Sequence, residues 1–92
     1  MNEYEALFII DPAKEGSFKK ITENIASVVA KNNGKIEKDE SWGKQRLAYL
    51  VKKNKDGIYY KLDFSIDPLL ITKLTSAYKL DSNILRVMIT KK

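Results

Sequence analysis

Four times along the chain the spacing of apolar residues switches between the two-residue period of a strand and the ~3.6-residue period of a helix. The order of those switches limits the fold more than any other feature. Tyr4, Ala6, Phe8 and Ile10 alternate with Glu5, Leu7 and Ile9. Both sets carry apolar residues, so this first strand is expected at the centre of a sheet. Asp11-Pro12 ends it. Phe18, Ile21, Ile25, Val28 and Val29 then form one helical stripe, with Lys19, Lys20, Glu23, Asn24 and Lys31 on the opposite face. Ser17 is the expected cap and Asn33-Gly34 the left-handed stop.

From Lys35 to Val51 the pattern is extended but uneven, with a polar run from Glu37 to Ser41 and an interruption at Trp42-Gly43. A glycine inside a strand pattern predicts a bulge or the close approach of another chain. Trp42, Leu47, Tyr49 and Val51 cannot share one face by simple alternation, so a bulge at Gly43 has to flip the register. Lys52–Gly57 reads as the hairpin loop, ending on the turn signal Asp56-Gly57. Beyond it Tyr60, Leu62, Phe64 and Ile66 alternate with Tyr59, Lys61, Asp63 and Ser65. Asp67-Pro68 opens the second helix, Asp as cap and Pro at the first helical position. Its stripe is Leu70, Ile71, Leu74, Ala77 and Tyr78, and Asp81-Ser82-Asn83 stops it. Ile84–Thr90 is the last strand, with Leu85, Val87 and Ile89 on one side and Ile84, Arg86 and Met88 on the other.

The order strand, helix, strand, strand, helix, strand is that of the α+β, ferredoxin-like βαββαβ fold, here expected as one domain over residues 1–92. Two helices cover one face of a four-stranded antiparallel sheet. The opposite face and the two sheet edges are left to partners or to water.

Composition narrows the chemistry. The chain has neither cysteine nor histidine. Disulfides, zinc sites of the usual kind, thiol catalysis and His-based triads are thereby excluded. Its serines lack an activating base, Asp39 and Glu40 point to opposite sides of a strand, and the four glycines are isolated, so no phosphate-cradling loop exists. An enzyme is not expected, nor a cofactor, a metal or a small-molecule substrate. No stretch reaches the ~18–20 apolar residues of a membrane span, and the amino terminus lacks the pattern of a secretory signal, so a cytoplasmic protein is expected. The net charge of +5 is unevenly placed. Residues 1–40 carry six Lys against eight Asp and Glu, whereas residues 41–92 carry nine Lys and two Arg against four Asp. A carboxyl-terminal half at +7 points to a polyanion, nucleic acid first.

The RNA recognition motif has the same element order but stacks bases on aromatics of its third strand. In the corresponding stretch, Lys55 to Leu62, the register is wrong, and only Tyr59 is left to stack once Tyr60, Leu62 and Phe64 face the helices. Lysines outnumber arginines, which suits phosphate contact better than reading base edges. Arg86 is expected on the open face or rim. Trp42 and Tyr49 near Arg46 have the composition of an interface anchor.

Trp42-Gly43 followed by Arg46-Leu47-Ala48-Tyr49 resembles the signature of the bacterial small-subunit ribosomal protein S6 family. Tyr4-Glu5, Gly34-Lys35-Ile36 and Arg86-Val87-Met88 match it in order and spacing across essentially the whole chain. The resemblance implies a non-catalytic constituent of the small ribosomal subunit that binds small-subunit rRNA in its central domain together with ribosomal protein S18. By the same resemblance Asn2, Tyr4, Arg86, Met88, Lys91 and Lys92 are RNA-contact candidates, and Trp42, Arg46, Leu47, Ala48, Tyr49 and Leu50 belong to the partner-facing hairpin. The sequence departs from the family pattern with Asn2 and Glu3 where basic residues are common, Gln45 at an often basic position, Leu50 in place of Pro, and Leu85 in place of Arg. The alternative from a different class is a ferredoxin-like regulatory or oligomerising domain that binds no RNA.

Overall fold

The period-two segment at the amino terminus becomes β1 (Asn2–Ile10), and a computed structural model describing residues 1–92 places it between two neighbours, as its two apolar faces require. The remaining elements are α1 (Phe18–Lys31), β2 (Lys35–Val51), β3 (Asn54–Ile66), α2 (Ile71–Lys79) and β4 (Ile84–Lys91). All strand pairs are antiparallel in the order β2-β3-β1-β4, so β2 and β4 are the free edges. Both helices lie on one face, giving the expected ferredoxin-like architecture.

The core lies between that face and the helices. Tyr4, Ala6, Phe8 and Ile10 of β1 and Ile58, Tyr60, Leu62, Phe64 and Ile66 of β3 meet Ile21, Ile25 and Val29 of α1 and Leu74 and Tyr78 of α2. Phe8 packs edge-on against Tyr78 with ring centroids 4.8 Å apart. Two buried phenols tie the layers together. Tyr78 Oη donates to the Ile25 carbonyl at 2.6 Å, joining α2 to α1, and Tyr60 Oη donates to Asp39 Oδ2 at 3.0 Å, joining β3 to β2. Burial pushes both phenols well above the ordinary tyrosine range. For Tyr60 the hydrogen bond to the Asp39 carboxylate adds to it.

Several local expectations are corrected. Ser17 makes no capping bond to α1. A 3-10 segment, Pro12–Ser17, precedes the helix and is capped by Asp11, whose carboxylate accepts from Ala13 N at 2.9 Å. Asp67 does cap as expected, accepting from Leu69 N at 3.0 Å, but the first turn it opens, Pro68–Leu70, is also 3-10. Ala77 lies outside the buried stripe of α2 and is exposed. The hairpin turn is Lys52-Lys53, both at positive φ (49° and 67°), as a two-residue hairpin of the I′ kind requires. Asp56-Gly57 lies inside β3 instead. There Gly57 answers to space, since a Cβ would stand 2.3 Å from Ile9 Cγ2. In β4 the register slips by one between Ile9 and Ile10 of its partner, so Leu85 is an extra residue. Ile84, Val87 and Ile89 therefore face the helices, while Leu85 joins Arg86 and Met88 on the opposite side.

Candidate nucleic-acid and partner interface

The sheet face that no helix covers is divided in two. Toward the start of β1 it is polar and internally paired. Lys61 Nζ lies 3.4 Å from Glu5 Oε2, Lys92 Nζ lies 3.1 Å from Asp63 Oδ2, and Ser65 Oγ donates to Glu37 Oε1 at 2.9 Å. Toward the end of β1 it is apolar. Leu7 and Ile9 are flanked by Tyr59 of β3 and Met88 of β4, and together with Leu47 and Val51 they line a concavity of about 180 Å³.

The wall of that concavity is built by irregularity in β2. Gly43 bulges at φ +75°, with open space where a Cβ would be, so conformation alone asks for glycine there. The register shift between Ser41 and Gly43 turns Trp42 onto the open face, where its ring stacks on Tyr59 at 6.1 Å and 18°. Further along, Arg46 pairs with Asp56 and Val51 with Asn54, so four residues, Leu47–Leu50, stand opposite Lys55 alone. The surplus lets the strand curl over the sheet. Leu47 is buried against Ile9 and Leu85 in a second, smaller cluster, and the Arg86 guanidinium donates to Tyr49 Oη. What is left exposed is largely apolar: Trp42 at 43%, Tyr49 at 63% and Leu50 at 60%. Among the candidates for partner contact, Leu47, Ala48 and Tyr49 line the concavity, Trp42 stacks on its Tyr59, Leu47 is buried, and Arg46 and Leu50 are exposed in the same strand.

The candidates for RNA contact are spread over two faces. Arg86 and Met88 stand on the open face at its apolar end. Lys92 stands on the same face at the polar end, where the hydrogen bond to Asp63 ties up its ammonium and raises its pKa. Lys91 pairs in register with Tyr4, on the helix side, and is exposed. Asn2 is half-buried at the sheet rim, across from Ile66. Tyr4 is 7% exposed and its ring stacks on Phe64 within the core.

Leu7 and Ile9, which with Tyr59 make the floor under the hairpin, are not among the residues that the sequence marks as site candidates. Their signal was present, since β1 is apolar on both faces although helices cover only one of them. Folding also concentrates cationic charge at the hairpin end of the molecule. Lys44, Arg46, Lys52, Lys53 and Lys55 lie within thirteen residues that hold one carboxylate, Asp56. Arg86 and Lys79 border the same cleft as Lys52.

Known proteins share this architecture and more. The family model described as ribosomal protein S6 matches residues 3–91. The small ribosomal subunit protein bS6 of Streptomyces griseus is 36% identical over 92 residues, covering 99% of this chain and 96% of that protein. The crystal structure of the 30S ribosomal protein S6 from Thermotoga maritima superposes with a TM-score of 0.92 at 28% identity, over 99% of this chain and 87% of that one. The C-terminal domain of the MgtC protein from Mycobacterium tuberculosis is similar in fold alone, with a TM-score of 0.70 at 13% identity over 100% and 88% of the two chains.

Proposed function

We propose, from the premise that this chain belongs to the ribosomal protein S6 family, that it is a structural constituent of the small ribosomal subunit, binding rRNA of the central domain together with ribosomal protein S18. The observation that carries this reading is the extent of the match, residues 3–91, which takes in every element that builds the open face and the hairpin. The role is one of assembly. The apolar end of the open face, with Trp42, Tyr49 and Leu50 exposed around it, supplies area for the protein partner to bury, and Leu47 holds the hairpin in place for that contact. Arg86, Lys91 and the hairpin lysines supply phosphate contacts. Each ligand then raises the affinity of the other by the same factor.

Sedimentation of cell lysate through sucrose gradients at low and high salt tests the reading. The protein is expected in the small-subunit fraction, with rRNA and S18 recovered alongside it when it is captured by a tag. Its absence from that fraction at low salt overturns the proposal.

A further inference from the structure

The free edge of β4 borders a cleft of about 500 Å³ that meets the apolar concavity only at Arg86 and Met88. Its charged side chains are all cationic: Lys52 from the hairpin turn, Lys79 from the last turn of α2, and Arg86 from β4. No carboxylate lines it. The two ion pairs of the chain, Lys61–Glu5 and Lys92–Asp63, lie elsewhere, so none of the three cations is neutralised within the fold. Three positive charges drawn from three separate elements repel one another unless an anion joins them. Lys79 alone is accounted for as a cation at a helix C-terminus; that does nothing to explain Lys52 or Arg86.

The cleft is also ordered ahead of any ligand. The Lys52 carbonyl accepts from Asn54 Nδ2 at 3.1 Å, which pins the turn that carries it. Arg86 is oriented by its hydrogen bond to Tyr49, and its remaining N–H groups are available to an anion. The floor between the cations is apolar, made by Ile84, Leu85 and Val87. Since β4 pairs with β1 only, its outer edge offers unpaired backbone groups as well. Cations around an apolar floor suit a phosphodiester whose sugar or base rests on that floor.

We infer that the β4-edge cleft is an RNA phosphate site with Lys52, Lys79 and Arg86 as its ligands. The inference rests on the RNA-binding reading above, joins Lys52 and Arg86 into one site and adds Lys79 to it. The test uses the full chain, with S18 present, and a transcribed central-domain fragment of small-subunit rRNA, titrated over a series of salt concentrations. The double variant Lys52→Gln/Lys79→Gln is compared with Lys19→Gln/Lys20→Gln on the exposed face of α1. Removing one phosphate-bound cation should lower the slope of log K against log salt by about 0.7–0.9, so the first variant should shed roughly 1.5 and bind at least tenfold more weakly at low salt. The control should keep the wild-type slope. Wild-type binding with an unchanged slope in the cleft variant overturns this site and leaves the RNA reading standing. A wild-type chain that binds no RNA overturns both.

Discussion

Replacing Trp42 with alanine tests the partner surface. The ring is stacked on Tyr59, a contact worth about 0.5–1.5 kcal/mol beyond area, and the side chain stays 43% exposed. A tryptophan offers up to about 250 Å², so the 43% still exposed is roughly 100 Å² for a partner to cover. At about 25 cal/mol per Å² that area is worth ~2.5 kcal/mol, or roughly 70-fold in Kd. Trp42→Ala should therefore weaken S18 binding by one to two orders of magnitude, measured by calorimetry, and, because roughly 140 Å² of the side chain is already covered within the chain, it should also lower the unfolding free energy by about 3 kcal/mol. Trp42 is the one tryptophan of the chain. Its emission should accordingly shift to shorter wavelength when S18 is added to the wild type. A fall of less than threefold in affinity together with an unshifted emission would refute the assignment.

Two further outcomes follow from the interior. Tyr60 and Tyr78 are held protonated in the fold, so above about pH 10 the native state binds more protons than the unfolded one. Stability should be unaffected by these phenols below that pH and should fall as pH rises, by about 1.4 kcal/mol per pH unit for each. Two of the five tyrosines should give their phenolate absorbance only together with the loss of ellipticity; a full phenolate signal from a folded chain would contradict the burial. Gly57→Ala forces a Cβ to within 2.3 Å of Ile9 Cγ2, under the hairpin. The urea midpoint should drop by the equivalent of about 1–3 kcal/mol with the m-value unchanged, and an unchanged midpoint would mean that Ile9 yields freely.

What could be read in the sequence divides along physical lines. The six elements and the inner face of β1 and β3 were legible because periodicity records which side of an element is buried. The positions that escaped it depend on residues added to one strand and not to its neighbour. Leu85 is one such residue, and Leu47–Leu50 opposite Lys55 are a larger case. Nothing local in those side chains announces a bulge; only the facing strand defines it. The turn was misplaced for a different reason. Asp56-Gly57 carries the residue types of a tight turn, yet Lys52 and Lys53 adopt the left-handed conformation instead, so tertiary pairing of β2 with β3 overrides local preference. Asn2, Lys91 and Lys92 are RNA-contact candidates by the family resemblance, which carries no information on side-chain direction. Pleating then sends Lys91 and Lys92 to opposite faces, and Asp63 takes up the second.

The surplus residues of β2 also bring the surfaces proposed for the two ligands together at one end of the domain. Without them the hairpin would run straight past the sheet, and neither Leu47 nor Tyr49 would reach β1 and β4. With them, Leu47 closes on Ile9 and Leu85, and Tyr49 accepts a hydrogen bond from Arg86. Arg86 therefore borders both concavities, the apolar one beneath the hairpin and the cationic one on the β4 edge. A protein that packs on Trp42, Tyr49 and Leu50 also fixes the side chain that orients Arg86, and the ordering of that guanidinium is then complete before a phosphate arrives. Linkage makes the effect reciprocal: a phosphate that fixes Arg86 equally prepares Tyr49 for the protein. In the proposed reading the Tyr49–Arg86 hydrogen bond is thus the point at which the two binding events meet, and the excess net charge of the carboxyl-terminal half matters chiefly where that bond directs it.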